Sequence, residues 1–401
     1  METGITLERA LELIRLHTAP LPPVELAGNW LQDHVLAQDV IAPMDQPPFD
    51  RSPLDGYALR AEDSLGASPD HPVLLEVRET LCAGDWPQIP LNPGQCARIM
   101  TGAPIPPGAD CVIRQEDTDR AHPRVGIFRA LAPHENYCFA GEDFQNGSLL
   151  FPAGTRMDSV ALGVLASAGL WETPLSAHPR PKVLLAGTGD ELAQPGDTLR
   201  PGQIYNSNLP QLAARCRQLG LEAATTWWPD DPRAVAEALS ESAGLFDCVI
   251  TTGGVSVGDK DIFHQALPLA DAQRLFWRVQ LKPGTPLMFS LIQGKPVLSL
   301  SGNPFAAAAT FELLGRPLLA ALEGQPHWQP VRLSAPLATP FPKASGGRRF
   351  VRGVLRDGSI SLPDGHSSGQ LRSQVGCNCL VDIPAGSPAL EAGTMVKAVL
   401  L

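Results

Sequence analysis

The residues best suited to chemistry in this chain are carboxylates and glycines that follow short apolar runs. KVLLAG (182–187) leads into GTGDEL, which offers Thr188, Asp190 and Glu191. LEAATTWW (221–228) leads into PDDP, with Asp230 and Asp231. FDCVITTGG leads into VSVGDKD, where Gly253 and Gly254 permit close backbone approach and Ser256, Asp259 and Asp261 supply oxygens. RLFWRVQL leads into KPGTP, with Lys282, and KPVLSLSG leads through Gly302, Asn303 and Pro304 into a helix start. Together they prefigure an anion cradle of glycine amides and helix N-termini. They also prefigure a carboxylate cluster able to hold Mg²⁺, which favours a few carboxylates plus phosphate oxygens and water. Each string alone is ordinary: Asp231 reads as a helix N-cap, a TGG turn is commonly just a tight turn, and Trp227 and Trp228 read as packing. Their convergence is what points to a site. A second set lies upstream in FDRSPLDGYALRAED, RIMTGAPIPPGAD and GEDF, whose polar residues are Asp55, Thr101 and Asp143. An Asp55-Gly56 turn and a strand ending at Thr101-Gly102 account for these residues equally well.

The elements that must position these residues follow from periodicity. Strands and helices alternate over 181–322, which predicts a parallel, doubly wound sheet; ligands then sit beyond the carboxyl ends of its strands. The helices there are 206–220, 231–244 with Asp231 as cap and Pro232 in the first turn, DIFHQALPLA, and one long helix from Phe305 to Gly324. Leu7, Leu11 and Ile14 fall at helical spacing over 5–17, with Thr6 as N-cap, and 28–37 reads as a second helix. Short β-like runs between Pro- and Gly-rich turns predict a β module over 46–143, followed by a helix over 158–169 capped by Asp158 or Ser159. Residues 330–401 return to short strands. The expected fold is a multidomain α/β and β protein. It has a discontinuous helical domain (1–45 plus 144–180), an inserted β-rich module (46–143), an α/β domain (181–322) and a C-terminal β domain (323–401).

Composition narrows the function. At 401 residues the chain has room for two to four domains. Its net charge of −11, with no basic block, disfavours nucleic acid as a partner. An anionic ligand must therefore be held by local groups against the overall field. No apolar run approaches the ~20 residues of a membrane span, and METGITLERALELIRLH lacks the apolar core of a signal peptide. The eight cysteines show no CxxC spacing, which fits reduced thiols in the cytoplasm; no HExxH supports a zinc hydrolase.

The strings SPLDGYALR, RIMTGAPIPPGAD, GEDF, FPAGTRM, GTGDEL, GQIYNSN, PDDP, TTGGVSVGDKD, KPGTP and SGNP closely resemble the molybdopterin molybdenumtransferase family (MoeA and the E domain of gephyrin), in family order from about residue 5 onward. The resemblance implies a homodimer whose cleft combines the third domain of one subunit with the β module of the other. It implies that adenylylated molybdopterin reacts with molybdate, Mg²⁺ assisting, to release AMP and load the dithiolene with molybdenum. By position, Asp55, Thr101 and Asp143 would come from the second subunit. Glu191, Asp230 and Asp261 would surround Mg²⁺ and the pyrophosphate, and Gly253, Gly254 and Ser256 would cradle phosphate. Lys282, Pro286, Arg352 and Ser373 would lie around the oxyanion, with Pro283, Gly302, Asn303 and Pro304 completing the substrate site. The molybdopterin adenylyltransferase is an implied candidate partner. The chain departs from the pattern at Thr285 (KPGTP for KPGKP), Ser301 (SGNP for PGNP), Ala306 and Arg278. These departures leave a tungstate-preferring transferase or a non-catalytic pterin-binding scaffold as alternatives.

Overall fold

The computed structural model describes residues 1–194, 196–256 and 262–401. The chain forms two compact units, one of residues 1–25, 33–37 and 176–401, the other of residues 26–32 and 38–175.

The first unit is built on a seven-stranded sheet. Its strands are β1 (Glu2–Ile5), β2 (Val183–Thr188), β3 (Ala223–Trp228), β4 (Cys248–Thr252), β5 (Gln273–Val279), β6 (Met288–Ile292) and β7 (Lys295–Leu300). Their spatial order is β1-β5-β6-β7-β4-β2-β3. The expected parallel core is present: β2 pairs in parallel with both β3 and β4, and β4 with β7. The sheet as a whole is mixed, because β6 runs antiparallel to β5 and β7. A two-residue turn at Gln293-Gly294 joins β6 to β7 as a hairpin, and a hairpin cannot be parallel. The edge strand β1, too short to show a strand period, extends the sheet beside β5.

Alternate residues of each central strand enter different cores, so both faces are covered. Val183, Leu185, Ile250, Leu298 and Phe289 join one cluster with Leu7, Leu212, Phe311 and Leu318. Leu184, Ala186, Val249, Met288 and Val297 join another with Val235, Leu239 and Phe263. The first layer holds α1 (Leu7–His17), α2 (Asn208–Gln218) and the 304–322 segment; the second holds α3 (Pro232–Leu245) and α4 (Phe263–Leu269). Asp231 caps α3, its Oδ1 accepting from the N–H groups of Arg233 and Ala234 at 2.9 and 2.8 Å. The long helix expected after residue 304 is α-helical over Pro304–Thr310, a π turn over Phe311–Gly315, and α-helical again over Arg316–Leu322. Pro317 explains the break: it has no N–H to return to the carbonyl one turn earlier. This apolar segment is 83% buried, which is how a core helix behaves.

Residues 332–400 add a five-stranded sheet whose inner face packs Phe341, Val351, Ile360 and Val381 together. Phe350, Leu380 and Val399 point the other way, into the core shared with the α/β sheet.

The second unit holds a five-stranded sheet, in spatial order 111–114, 56–59, 95–99, 73–81 and 124–127. Gly56 is needed there, because a Cβ would lie 1.8 Å from the Ile113 carbonyl oxygen. A helix, Ser159–Ser167, is capped by Asp158. The helix expected over 28–37 does not form. Gly28–Leu31 is a single 3-10 turn, Asp33 takes φ +62°, and Val35–Leu36 is a strand pairing with Ala177 and His178.

Candidate active site

The carboxyl ends of β2, β3, β4 and β7 open onto a cleft of about 1010 Å³ in the first unit. It receives Glu191, Asp230, Gly253, Gly254, Ser256, Lys282, Pro283, Pro286, Gly302, Asn303 and Pro304, so the strand-end strings do converge. Asp261, with Asp259, lies outside the described residues.

The floor is glycine by necessity. Gly253 takes φ +98° and Gly254 φ +63°. A Cβ on Gly253 would lie 2.6 Å from the Thr188 carbonyl oxygen, and one on Gly302 would lie 3.4 Å from the Gly253 Cα. Two loops thus approach backbone to backbone, with α5 (Pro304–Thr310) starting directly behind Asn303. The Gly253 N–H donates to the Leu300 carbonyl at 3.1 Å, fixing their registration.

The acidic side is braced by reciprocal bonds. The Asp190 N–H donates to Asp230 Oδ2 at 3.3 Å and the Asp230 N–H donates to Asp190 Oδ1 at 3.2 Å, joining the ends of β2 and β3. Glu191 folds back over Gly189, whose φ is +137°; a Cβ there would lie 2.6 Å from the Glu191 carboxylate. Among the described residues, the carboxylates lining the cleft are Glu191 and Asp230.

The cationic side is held from the C-terminal sheet. The Lys282 N–H donates to the Arg348 carbonyl at 2.9 Å, and the Phe350 N–H donates to the Lys282 carbonyl at 2.7 Å. Lys282 is solvent-exposed at the cleft. Thr285, in place of the family's second lysine, donates its hydroxyl to the Leu281 carbonyl at 2.6 Å, so it serves the turn.

Two residues expected around the oxyanion stand elsewhere. Arg352 is 1% exposed and does not line the cleft. Its guanidinium donates to the carbonyls of Gly365, Ser367 and Gln370 and stacks 4.0 Å over the Phe305 ring. It thereby pins the 365–370 loop, whose Ser368 and Gly369 do line the cleft. Ser373 donates to the Gln370 carbonyl at 3.2 Å and also lies off the cleft. On the strand Arg349–Arg356 successive residues face opposite sides, which turns Arg352 away, while Ser373 sits in the 3-10 turn Arg372–Gln374. The arginine that does face the cleft from this strand is Arg349, with its Nε buried and unpaired. His366 also lines the cleft; burial, reinforced by Arg352, Lys343 and Arg349, holds its pKa below the ordinary histidine value. Asn206 and Asn208 complete the wall. The GQIYNSN string contains both asparagines, but polar residues before a helix read first as caps. Arg349 had no local signal beyond its charge.

In the second unit, residues 46–55 are stitched to both other loops of the upstream set. The Asp143 N–H donates to the Gln46 carbonyl, the Arg51 N–H to Cys138, and the Ser52 N–H to Ala103, each at 2.9 Å. Asp55 Oδ1 accepts both the N–H and the hydroxyl of Thr101 at 2.8 Å. The Thr101 N–H first, then its hydroxyl, holds the Asp55 carboxyl below the usual range. A depressed carboxyl contributes stability above its unfolded pKa of ~3.9 and loses it as pH falls through the lower folded value. The Thr101 amide resonance should therefore stay unchanged down to about pH 4 and move only below it. A midpoint above pH 4 in an NMR titration would show that the clamp is not formed.

An α/β sheet with a glycine-floored, carboxylate-rimmed cleft at its carboxyl edge, closed by a C-terminal β sheet, is the architecture of a ligand-binding α/β domain. Sequence comparison makes the family specific. Residues 5–169 match the MoeA N-terminal region (domain I and II), residues 186–321 a probable molybdopterin binding domain, and residues 334–401 the MoeA C-terminal region (domain IV). Molybdopterin molybdenumtransferase 2 of Mycobacterium tuberculosis is 37% identical over 383 residues, covering 94% of each chain. Molybdopterin molybdenumtransferase of Staphylococcus epidermidis is 33% identical over 403 residues, covering 99% of this chain and 96% of that one. The crystal structure of a molybdopterin biosynthesis MoeA protein from Pyrococcus horikoshii superposes with a TM-score of 0.80 at 30% identity, covering 99% of both chains. The chain belongs to the MoeA family of molybdopterin molybdenumtransferases, enzymes of molybdenum cofactor biosynthesis.

Proposed function

We propose that this chain transfers molybdenum from molybdate to adenylylated molybdopterin, with release of AMP. The observation that carries the reading is the convergence, in one cleft, of the Gly253-Gly254 and Gly302-Asn303 cradle with Glu191 and Asp230 on one side and Lys282 on the other. Backbone amides and a helix start suit phosphate oxygens. Among the described residues, Lys282 and Arg349 are the Lys and Arg side chains lining the cleft and available to a dianionic oxyanion, since Arg352 donates to carbonyls.

Among the described residues no group of three His, Cys, Asp or Glu side chains could cage a metal ion. Two carboxylates at a phosphate site fit Mg²⁺ nonetheless, because that ion keeps waters and takes much of its shell from substrate phosphates. Glu191 and Asp230 would hold it, with Asp261 as the third carboxylate the resemblance implies. Bound there, it would neutralise charge on the bridging phosphates. The protein's own part is to fix the pyrophosphate on the glycine floor, hold the oxyanion beside Lys282 and place the two for reaction. The working form in this reading is a cytoplasmic homodimer in which Asp55, Thr101 and Asp143 of one subunit complete the cleft of the other. Its frame is the division into 1–45 plus 144–180, 46–143, 181–322 and 323–401.

The test is AMP release by purified protein given adenylylated molybdopterin and Mg²⁺, with and without molybdate or tungstate. The expected result is oxyanion-dependent AMP, and the better oxyanion names the metal. Retention of the nucleotide without turnover under either oxyanion would overturn the transferase reading in favour of a binding paralogue.

A further inference from the structure

Among the described residues, four buried polar atoms of residues lining the cleft have no partner: Asn206 Nδ2, Asn208 Oδ1, Arg349 Nε and His366 Nδ1; the first two lie on one segment and are complementary to each other. Asn206 is 3% exposed and Asn208 8%, and both line the cleft. Asn206 Oδ1 accepts the Leu209 N–H at 3.2 Å, which caps α2, while its Nδ2 has no partner. Asn208 Nδ2 donates to the Gly302 carbonyl at 2.8 Å, while its Oδ1 has none. The bond each amide makes fixes which atom it has left: Asn206 keeps a donor and Asn208 an acceptor.

Helix capping does not account for this. Asp at position 206 would cap α2 as well and would bury no unpaired donor. A buried amide atom without a partner costs its full desolvation, and native proteins rarely leave such atoms unpaired. The sheet makes room for the Asn206 amide: a Cβ on Gly187, in the middle of the parallel core, would lie 2.9 Å from its Nδ2. The tie from Asn208 to Gly302 joins this pair to the cradle, since Gly302 faces Gly253.

We propose that Asn206 and Asn208 read the aminopyrimidine edge of the bound substrate, Asn206 Nδ2 donating to a ring nitrogen and Asn208 Oδ1 accepting from the exocyclic amine. The assignment rests on the reading of the cleft as the site of an adenylylated pterin. Adenine and pterin both carry this edge. Their deaminated counterparts, hypoxanthine and lumazine, present a carbonyl and an N–H in its place, which meets the pair with reversed polarity. A site built to hydrogen-bond a polar edge rejects the analogue that leaves its groups unpaired.

The experiment is calorimetric titration of the full-length protein, as wild type, Asn206→Asp and Asn208→Leu, with AMP, IMP, pterin and lumazine as probes. Asn206→Asp keeps the cap oxygen and removes only the donor, so it reports even if Asn208→Leu does not fold. Its added charge acts on AMP and IMP alike, so the affinity ratio within each pair is the readout. The wild type should prefer AMP over IMP, or pterin over lumazine, by at least about fivefold, and the substitutions should shrink that ratio. The pair that discriminates identifies which heterocycle the asparagines read. A ratio below fivefold in both pairs, or one that the folded variants retain, overturns the proposal. Oxyanion-dependent AMP release by the wild type would then still stand, whereas its absence would overturn the transferase reading itself.

Discussion

Gly253→Ala should lower AMP release by about 100-fold or more while leaving a folded protein, because displacing a reacting group by about 1 Å costs that much. At φ +98° an alanine is strained, by about 1–3 kcal/mol. Its Cβ would lie 2.6 Å from the Thr188 carbonyl oxygen and 2.9 Å from the Thr188 hydroxyl, and neither neighbour can retreat, because Thr188 ends the parallel strand β2. Residue 253 must therefore move, and Gly302 stands on its other side. Both walls of the glycine cradle shift together. Gly294→Ala is the control. It too has a positive φ, +78°, but a Cβ there meets nothing within 4 Å. It should cost a comparable amount of stability and leave AMP release unchanged. Equal losses of activity in the two variants would mean that backbone strain alone, and not the cradle, explains the effect.

The strand-end strings were readable as a site because parallel strands put their carboxyl ends at one edge. Locating GTGDEL, PDDP, TTGG and SGNP after strands was enough to bring Glu191, Asp230, Gly253 and Gly302 to one cleft. What the sequence concealed depends on partners distant along the chain. Met288–Ile292 is apolar whichever way it runs; only its hairpin with Lys295–Leu300 makes it antiparallel. Residues 28–37 have helical spacing, but Asp33 in a left-handed conformation breaks it. Arg352 shows the same limit at the site. Charge alone suggests a ligand, whereas burial against Phe305 and three carbonyls makes this guanidinium a brace for the 365–370 loop. Arg349, three residues earlier on the same strand and on the opposite face, lines the cleft instead. The departure at Thr285 could be read from sequence; that its hydroxyl would be bound internally could not.

The identity of the oxyanion-binding cation leads to the second large effect. Lys282→Met should raise the molybdate concentration for half-maximal AMP release by about 10- to 100-fold, the range expected when a charge-assisted hydrogen bond is lost. Binding of the adenylylated substrate in the absence of oxyanion should change little. The backbone will not move to compensate. Lys282 is tied through both its N–H and its carbonyl to residues 348 and 350, and a Cβ on Gly284 would lie 2.3 Å from Thr310, so the turn is tightly packed. The protein's net charge of −11 repels an oxyanion, so local cations must supply the attraction, and added salt screens both. Half-saturation in the wild type should rise with ionic strength more steeply than in the variant. Thr285→Lys restores the family's second cation beside the first and should move half-saturation the other way, at the cost of the hydroxyl bond to Leu281. If Lys282→Met leaves half-saturation unchanged, the oxyanion is not held at Lys282. Arg349→Met then becomes the deciding variant, because among the described residues Arg349 also lines the cleft and its buried Nε has no partner there.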